Sequence, residues 1–165
     1  MFLLLLLFVV VAVIIAFALC GHGVGALSDR GIRHTGAPGV LRALAALAGA
    51  GACALYAWGL LGVAGAVMEA EDGGTDSSPA WACRTPGWAE RHQRGIEIVD
   101  HGVSFLPLGF VCETSDGGSY DTGDVPSYVN PGVLGLALAA AGCVVGAGCV
   151  SELRARAEPR KGTAG

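Results

Sequence analysis

Cys83 and Cys112 are the side chains whose type and spacing come nearest to covalent chemistry. They stand 29 residues apart and are the only cysteines in the polar stretch 69–130. A thiol redox enzyme is expected to carry a Cys-x-x-Cys motif, and the chain has none. The pair therefore reads as a structural disulfide, formed if the stretch lies in an oxidising compartment. Closing that loop would contribute about 3 to 4 kcal/mol. His92 and His101, with Asp100 beside the second, raise the question of a metal. Their nine-residue separation matches no ligand spacing, and no His-x-x-x-His pair is present, so they read as solvated surface groups. Asp116, Asp121 and Asp124 lie in "DGGSYDTGD", which lacks the twelve-residue pattern of a calcium loop and its closing glutamate. Ser104, Ser115, Ser119 and Ser127 have no Gly-x-Ser-x-Gly context. No glycine-rich phosphate loop ends in Lys-Ser or Lys-Thr. Catalytic residues, a metal and a cofactor are all unsupported by these residues.

The elements that would position the cysteines are apolar. Hydrophobic residues make up 53% of the chain and charged residues 15%, against roughly 25% charged in an ordinary soluble domain. Phe2 to Leu19 and Val133 to Val150 carry no charge, and Val40 to Met68 carries only Arg42. Each run reaches the roughly 18 residues that mark a membrane-span candidate. Backbone polar groups in lipid must be paired within the chain, and helices do this locally. The expected fold is an all-α membrane protein. Three transmembrane helices (1–20, 38–68 and 130–150) enclose a small β-containing extracytoplasmic loop domain at 69–129. A short loop at 21–37 and a basic tail at 151–165 complete it. Pro38 suits the first turn of the second helix. Asn130 followed by Pro131 predicts an N-cap and first helical residue for the third. The first run reads as a retained span, since nothing basic precedes Phe2. A cleaved signal peptide or a lipidated Cys20 are its alternatives.

Charge sets the expected orientation. Arg30, Arg33 and Arg42 flank the first connection, and Arg154, Arg156, Arg160 and Lys161 follow the last span. Residues 69–130 hold eleven Asp or Glu against Arg84, Arg91 and Arg94. The positive-inside rule puts residues 21–42 and the tail in the cytoplasm, with the long loop and the N-terminus outside a plasma membrane. No charged residue falls within the three span cores, which argues against an ion path or proton relay. The basic tail is short and mixed, and suits lipid headgroups rather than nucleic acid.

Within the loop, "EAEDGGTDSSPA" reads as a flexible exit from the second span. "IEIVD" and "VSFL" read as short strands around His101-Gly102. "GFVCETSDGGSYD" reads as strand, Asp-Gly-Gly turn, strand. A two-stranded hairpin alone is marginal, so the loop needs a staple or a packing surface. Trp81, Trp88, Phe105, Phe110, Tyr120 and Tyr128 offer apolar contact or anchoring at a membrane surface. Tyr56 and Trp58 are polar-tipped residues of the second span, suited to core or interfacial positions.

Small residues recur in the spans, among them Gly49 and Gly62 in the second and Gly142 and Gly146 in the third. Such residues let helices approach closely in lipid, whether within the chain, with a second copy, or with a larger membrane complex. The stretch "VCETSDGGSYDTGDVPSYVNPG", with Cys112, Pro126, Val129, Asn130 and Pro131, resembles a segment of small uncharacterised actinobacterial membrane proteins. In these a Cys-containing extracytoplasmic loop ends in a VP-x-x-VNP segment before a span. The resemblance implies no activity. The leading expectation is a non-enzymatic accessory or protein-interaction protein of the membrane. A small-molecule or lipid-handling membrane enzyme subunit, or a cell-envelope structural or stress protein, are the alternatives.

Overall fold

A computed structural model describes residues 2–28, 31–71, 80–85 and 87–157, the first five of the second segment by backbone alone. Most of the acidic exit (72–79), Asp29 and Arg30 of the first connection, and the tail from 158 with Arg160 and Lys161 lie outside the described residues. Three helices are long and apolar enough to cross a membrane: α1 (Phe2–Ser28), α2 (Gly31–Glu71) and α4 (Val129–Ala157). Between α2 and α4 come a 3₁₀ turn (Trp81–Cys83), the short helix α3 (Trp88–Gln93) and three strands. The strands are β1 (Ile98–Phe105), β2 (Leu108–Thr114) and β3 (Ser119–Asp121). They form an antiparallel meander in the order β1-β2-β3.

The helices run past the ends of the apolar runs. α1 continues beyond Cys20 to Ser28, and α4 beyond Val150 to Ala157. No proline interrupts either extension, and "GHGVGALS" is not polar enough to stop a helix. α2 breaks at Gly36, where φ is 66° and ψ is 166°. Only glycine takes such a conformation without strain. Pro38 then lies in the first turn of the segment beyond the break, where its missing N–H leaves no bond unmade.

The chain divides into two compact units. The first takes Met1–Val11 and Leu55–Pro131. Its buried residues are Leu5 and Val9 of α1, Ala57, Leu60, Val63, Ala64, Ala66 and Val67 of α2, and the even-numbered face of β2. Cys83, Val125 and Val129 complete it. The side-chain alternation of a strand puts Leu108, Phe110, Cys112 and Thr114 on one face. That face is buried, whereas Glu113 on the other is exposed. The loop therefore has both the staple and the packing surface that so small a sheet needs.

The second unit takes Ala12–Ala54 and Gly132–Gly165. Its helices meet through small residues. A methyl group on Gly23 of α1 would lie 2.9 Å from Leu47 Cγ and 3.1 Å from the Ala43 carbonyl oxygen of α2. Gly49 faces Leu19, Gly51 faces Leu136, and Gly146 faces Leu41. Ala43, Ala45, Ala46, Ala50, Ala52 and Ala147 are buried. Close approach at small residues lets dispersion contacts form along these helices.

Candidate functional site

The loop's architecture starts from its two hairpins. Phe105 pairs with Leu108 across the two-residue turn Leu106-Pro107, whose peptide bond is cis. "IEIVD" and "VSFL", read from sequence as separate short strands, merge into one strand from Ile98 to Phe105 that runs through His101 and Gly102, with Ile96 and Glu97 before it and Leu106 in the turn after it. Its register shifts once, between Ile98 and Asp100. The Asp116-Gly117-Gly118 turn joins β2 to β3 as its sequence predicts. Thr114 donates its N–H to the Gly118 carbonyl at 2.9 Å. The Asp116 carboxylate accepts from the Thr114 hydroxyl and from the Gly118 N–H. The Thr114 hydrogen bond, and then that of Gly118, hold the Asp116 carboxyl below the usual carboxylate range.

Cys83 and Cys112 are joined by a disulfide, with Cα atoms 6.0 Å apart. Both are fully buried. Two further ties bind the same segment to the sheet. The Tyr120 hydroxyl donates to the Cys83 carbonyl at 2.6 Å. The Arg91 guanidinium lies 4.2 Å from the Tyr120 ring centroid and donates to the Thr85 hydroxyl at 3.1 Å. Such cation–π contacts contribute about 0.5–1 kcal/mol where partly exposed.

These ties present an aromatic and basic face. Trp88 stacks on His92 one helical turn away, with centroids 5.4 Å apart. Arg84 lies 5.2 Å from the Trp81 ring and 5.8 Å from the Trp88 ring. Trp81 and Tyr128 are exposed, and Trp88 and Tyr120 are half-buried. Phe105 is half-buried and makes an edge contact with Phe8 of α1, its centroid 5.8 Å away. Phe110 departs from the expected contact set. It sits on the inward face of β2 at 1% exposure, so it is core and cannot meet a partner. His101 lies beside the Phe110 ring, and His92 is in the Trp88 stack. Among the described residues, no three His, Cys, Asp or Glu side chains converge as metal ligands would.

The second feature is the seat that α2 provides for the loop. A methyl group on Gly59 would lie 2.7 Å from Leu108 Cδ2 and 2.9 Å from Val129 Cγ1. One on Gly62 would lie 2.6 Å from the Asp124 carbonyl oxygen. Gly62, read from sequence as a helix-packing residue, thus abuts the loop backbone rather than another helix. Gly142 has nothing within 4 Å of the corresponding position. The Tyr56 hydroxyl donates to the Phe105 carbonyl at 3.3 Å, and Trp58 is exposed.

Asn130 completes the seat in a way its local sequence does not announce. Its amide nitrogen donates to the Leu108 carbonyl at 3.0 Å, and its amide oxygen accepts from the Leu108 N–H at 2.9 Å. β3 pairs only with Val111 to Glu113, so Leu108 has no strand on that side. Asn130 stands in for one. The helix already begins at Val129, and the Asn130 side chain is spent on Leu108 instead of capping it. Asn130→Ala would leave both Leu108 groups unpaired in a buried setting, at a cost of about 1–3 kcal/mol. The expected result is faster hydrogen exchange at the Leu108 amide in the variant, with little change at the Ser104 amide, which faces Gly109 across the β1–β2 pair. Unchanged exchange at Leu108 would mean that the pairing carries no stability.

No protein-family model matches the chain, and neither a curated protein nor a solved structure matches it. The seat was missed in the sequence although a signal was there. Gly59 and Gly62 stand three residues apart, which places them on neighbouring positions of one side of a helix.

Proposed function

We propose that this chain is a non-enzymatic, multi-pass protein of the plasma membrane that acts as an accessory or interaction subunit. Its N-terminus and long loop lie outside and its C-terminus in the cytoplasm. The observation that carries this reading is the aromatic and basic face of Trp81, Arg84, Trp88 and His92. It is fixed by a buried disulfide and belongs to the unit whose core includes the outer turns of α2. Trp, Tyr and Arg are the residues that dominate binding energy at protein interfaces. A face held this rigidly loses little entropy on binding. The absence of charge inside the three span cores, Arg42 lying at the start of the second run, supports a scaffold over a transporter. The basic residues beside the first connection and after α4 support the orientation.

A photo-cross-linking residue at position 81, in native membranes, should give one discrete adduct with a second protein. Trp81→Ala with Trp88→Ala should lower recovery of that protein in gentle detergent by about tenfold or more. A monomeric particle with no adduct would sink the accessory reading. Labelling of Glu113→Cys by a membrane-impermeant reagent in intact cells tests the orientation, and protection from the reagent would reverse it.

A further inference from the structure

We infer that the Leu106-Pro107 turn of the β1–β2 hairpin dips into the outer leaflet and contacts lipid acyl chains beside α1. The inference rests on the reading of the three long helices as membrane spans. Leu106 is 90% exposed, the most exposed large apolar side chain among the described residues. A single exposed leucine is ordinary on a soluble surface. Its location gives this one meaning. The neighbouring Phe105 touches Phe8 of α1 and accepts a hydrogen bond from Tyr56 of α2. Phe2 to Phe8 is about 9 Å of helix, and Tyr56 to Glu71 is about 22 Å. The turn therefore lies well inside the ends of two apolar helices. Leu3, Leu4, Leu6, Leu7 and Phe8 of α1 are exposed along this same stretch. If those residues face lipid, the exposed Leu106, next in the chain to the Phe105 that touches Phe8, lies at the same level and does so too.

The β1–β2 hairpin is polarised to match. Val103 to Val111 carries no charge, whereas Glu97, Asp100, Glu113 and Asp116 gather at the opposite end. Asp121 of β3, whose carboxylate lies beside Gly109, is the sheet's acidic group nearest the tip. Part of the tip's backbone is served without water. Asn130 pairs both Leu108 groups, Tyr56 donates to the Phe105 carbonyl, and Pro107 has no N–H to satisfy. Leu106 and the Pro107 carbonyl have no backbone partner among the described residues, so the tip suits the headgroup–acyl boundary, where water still reaches, rather than the hydrocarbon centre.

The test uses the full chain with Cys20, Cys53, Cys143 and Cys149 replaced by Ala and the Cys83–Cys112 disulfide kept. An environment-sensitive fluorophore is attached to Leu106→Cys, Glu113→Cys or Val145→Cys. Each protein is reconstituted into phosphatidylcholine–phosphatidylglycerol vesicles containing shallow spin-labelled lipid. The label at 106 should be quenched by the lipid at least about twofold more than the label at 113, and shielded from aqueous iodide. Quenching at 145 but iodide access at 106 would overturn the hairpin insertion while leaving the spans intact. Shielding of 106 from both quenchers would overturn it in favour of a protein covering the tip. No lipid quenching at 145 would remove the spanning reading itself.

Discussion

Replacing Gly62 by leucine should unseat the loop from α2, while the same change at Gly65 should not. The Cβ of a residue at 62 would lie 2.6 Å from the Asp124 carbonyl oxygen and 3.5 Å from its carbonyl carbon. These are backbone atoms and cannot rotate away as a side-chain tip can. The chain just beyond them, Val125 to Asn130, leads into α4 and supplies the clamp on Leu108. Accommodating the leucine therefore requires displacing the whole connection. Overpacking of this kind costs about 3 kcal/mol at the upper end of its usual range. That is about a hundredfold in the population of the opened loop. At Gly65 nothing lies within 4 Å and the residue is exposed. There the helix propensity of leucine over glycine should help by somewhat under about 1 kcal/mol. The two variants thus have opposite expected signs at positions three residues apart. Trypsin cleavage after Arg84, Arg91 and Arg94 in detergent micelles reports the opening, because proteolysis follows the open population when reclosing is fast. Equal cleavage rates for the two variants would remove α2 as the seat.

The features legible in the sequence were those that local chemistry decides. Long apolar runs with at most one charge predict α1, α2 and α4, because each reaches the length that marks a membrane-span candidate. The Asp-Gly-Gly turn between β2 and β3 is written in three adjacent residues, and Gly117 takes φ 81° there. The cysteine pairing follows from there being only two candidates in the polar stretch. What stayed hidden depends on partners far along the chain. Asn130 has the local context of an N-cap, yet Leu108, 22 residues earlier, claims both ends of its amide. Phe110 looks like a contact residue until the register of β2 turns it inward with Cys112. The C-terminal turns of α2 look like plain span residues, yet Leu60, Val63 and Val67 belong to the core of the loop's unit. A hydrophobic helix carries no mark telling which of its faces meets lipid and which meets a sheet.

Removing the disulfide should loosen one side of the loop and spare the other. The Cys83–Cys112 bridge closes 29 residues, for which chain-entropy reasoning gives about 3.5 kcal/mol. Replacing both cysteines by alanine leaves the 3₁₀ turn and α3 tied to the sheet by the Tyr120–Cys83 carbonyl bond and the Arg91–Tyr120 contact. Together these contribute about 1–3 kcal/mol, less than the bridge they would have to replace. β2 has independent support. Leu108 is seated on Gly59 and clamped by Asn130, and β1 pairs along the strand from Phe105 to Ile98. The opening should therefore be local. Amide protection across residues 83–94 should fall by about three hundredfold, the equivalent of 3.5 kcal/mol. Protection at Leu108 should fall by less than about tenfold. A uniform loss across both regions would mean that the loop unfolds as one unit and that the α2 seat does not hold the sheet alone. No loss in either would mean that the bridge is dispensable. Non-reducing mass spectrometry of protein from native membranes checks the premise, since two free thiols there would leave nothing for the alanines to remove. Both sulfurs are buried, so the native protein should also resist a thiol reductant until denaturant is added. If the reductant instead opens the bridge in folded protein, the 83–94 segment already breathes, and the aromatic face it carries is less fixed than the proposed interaction requires.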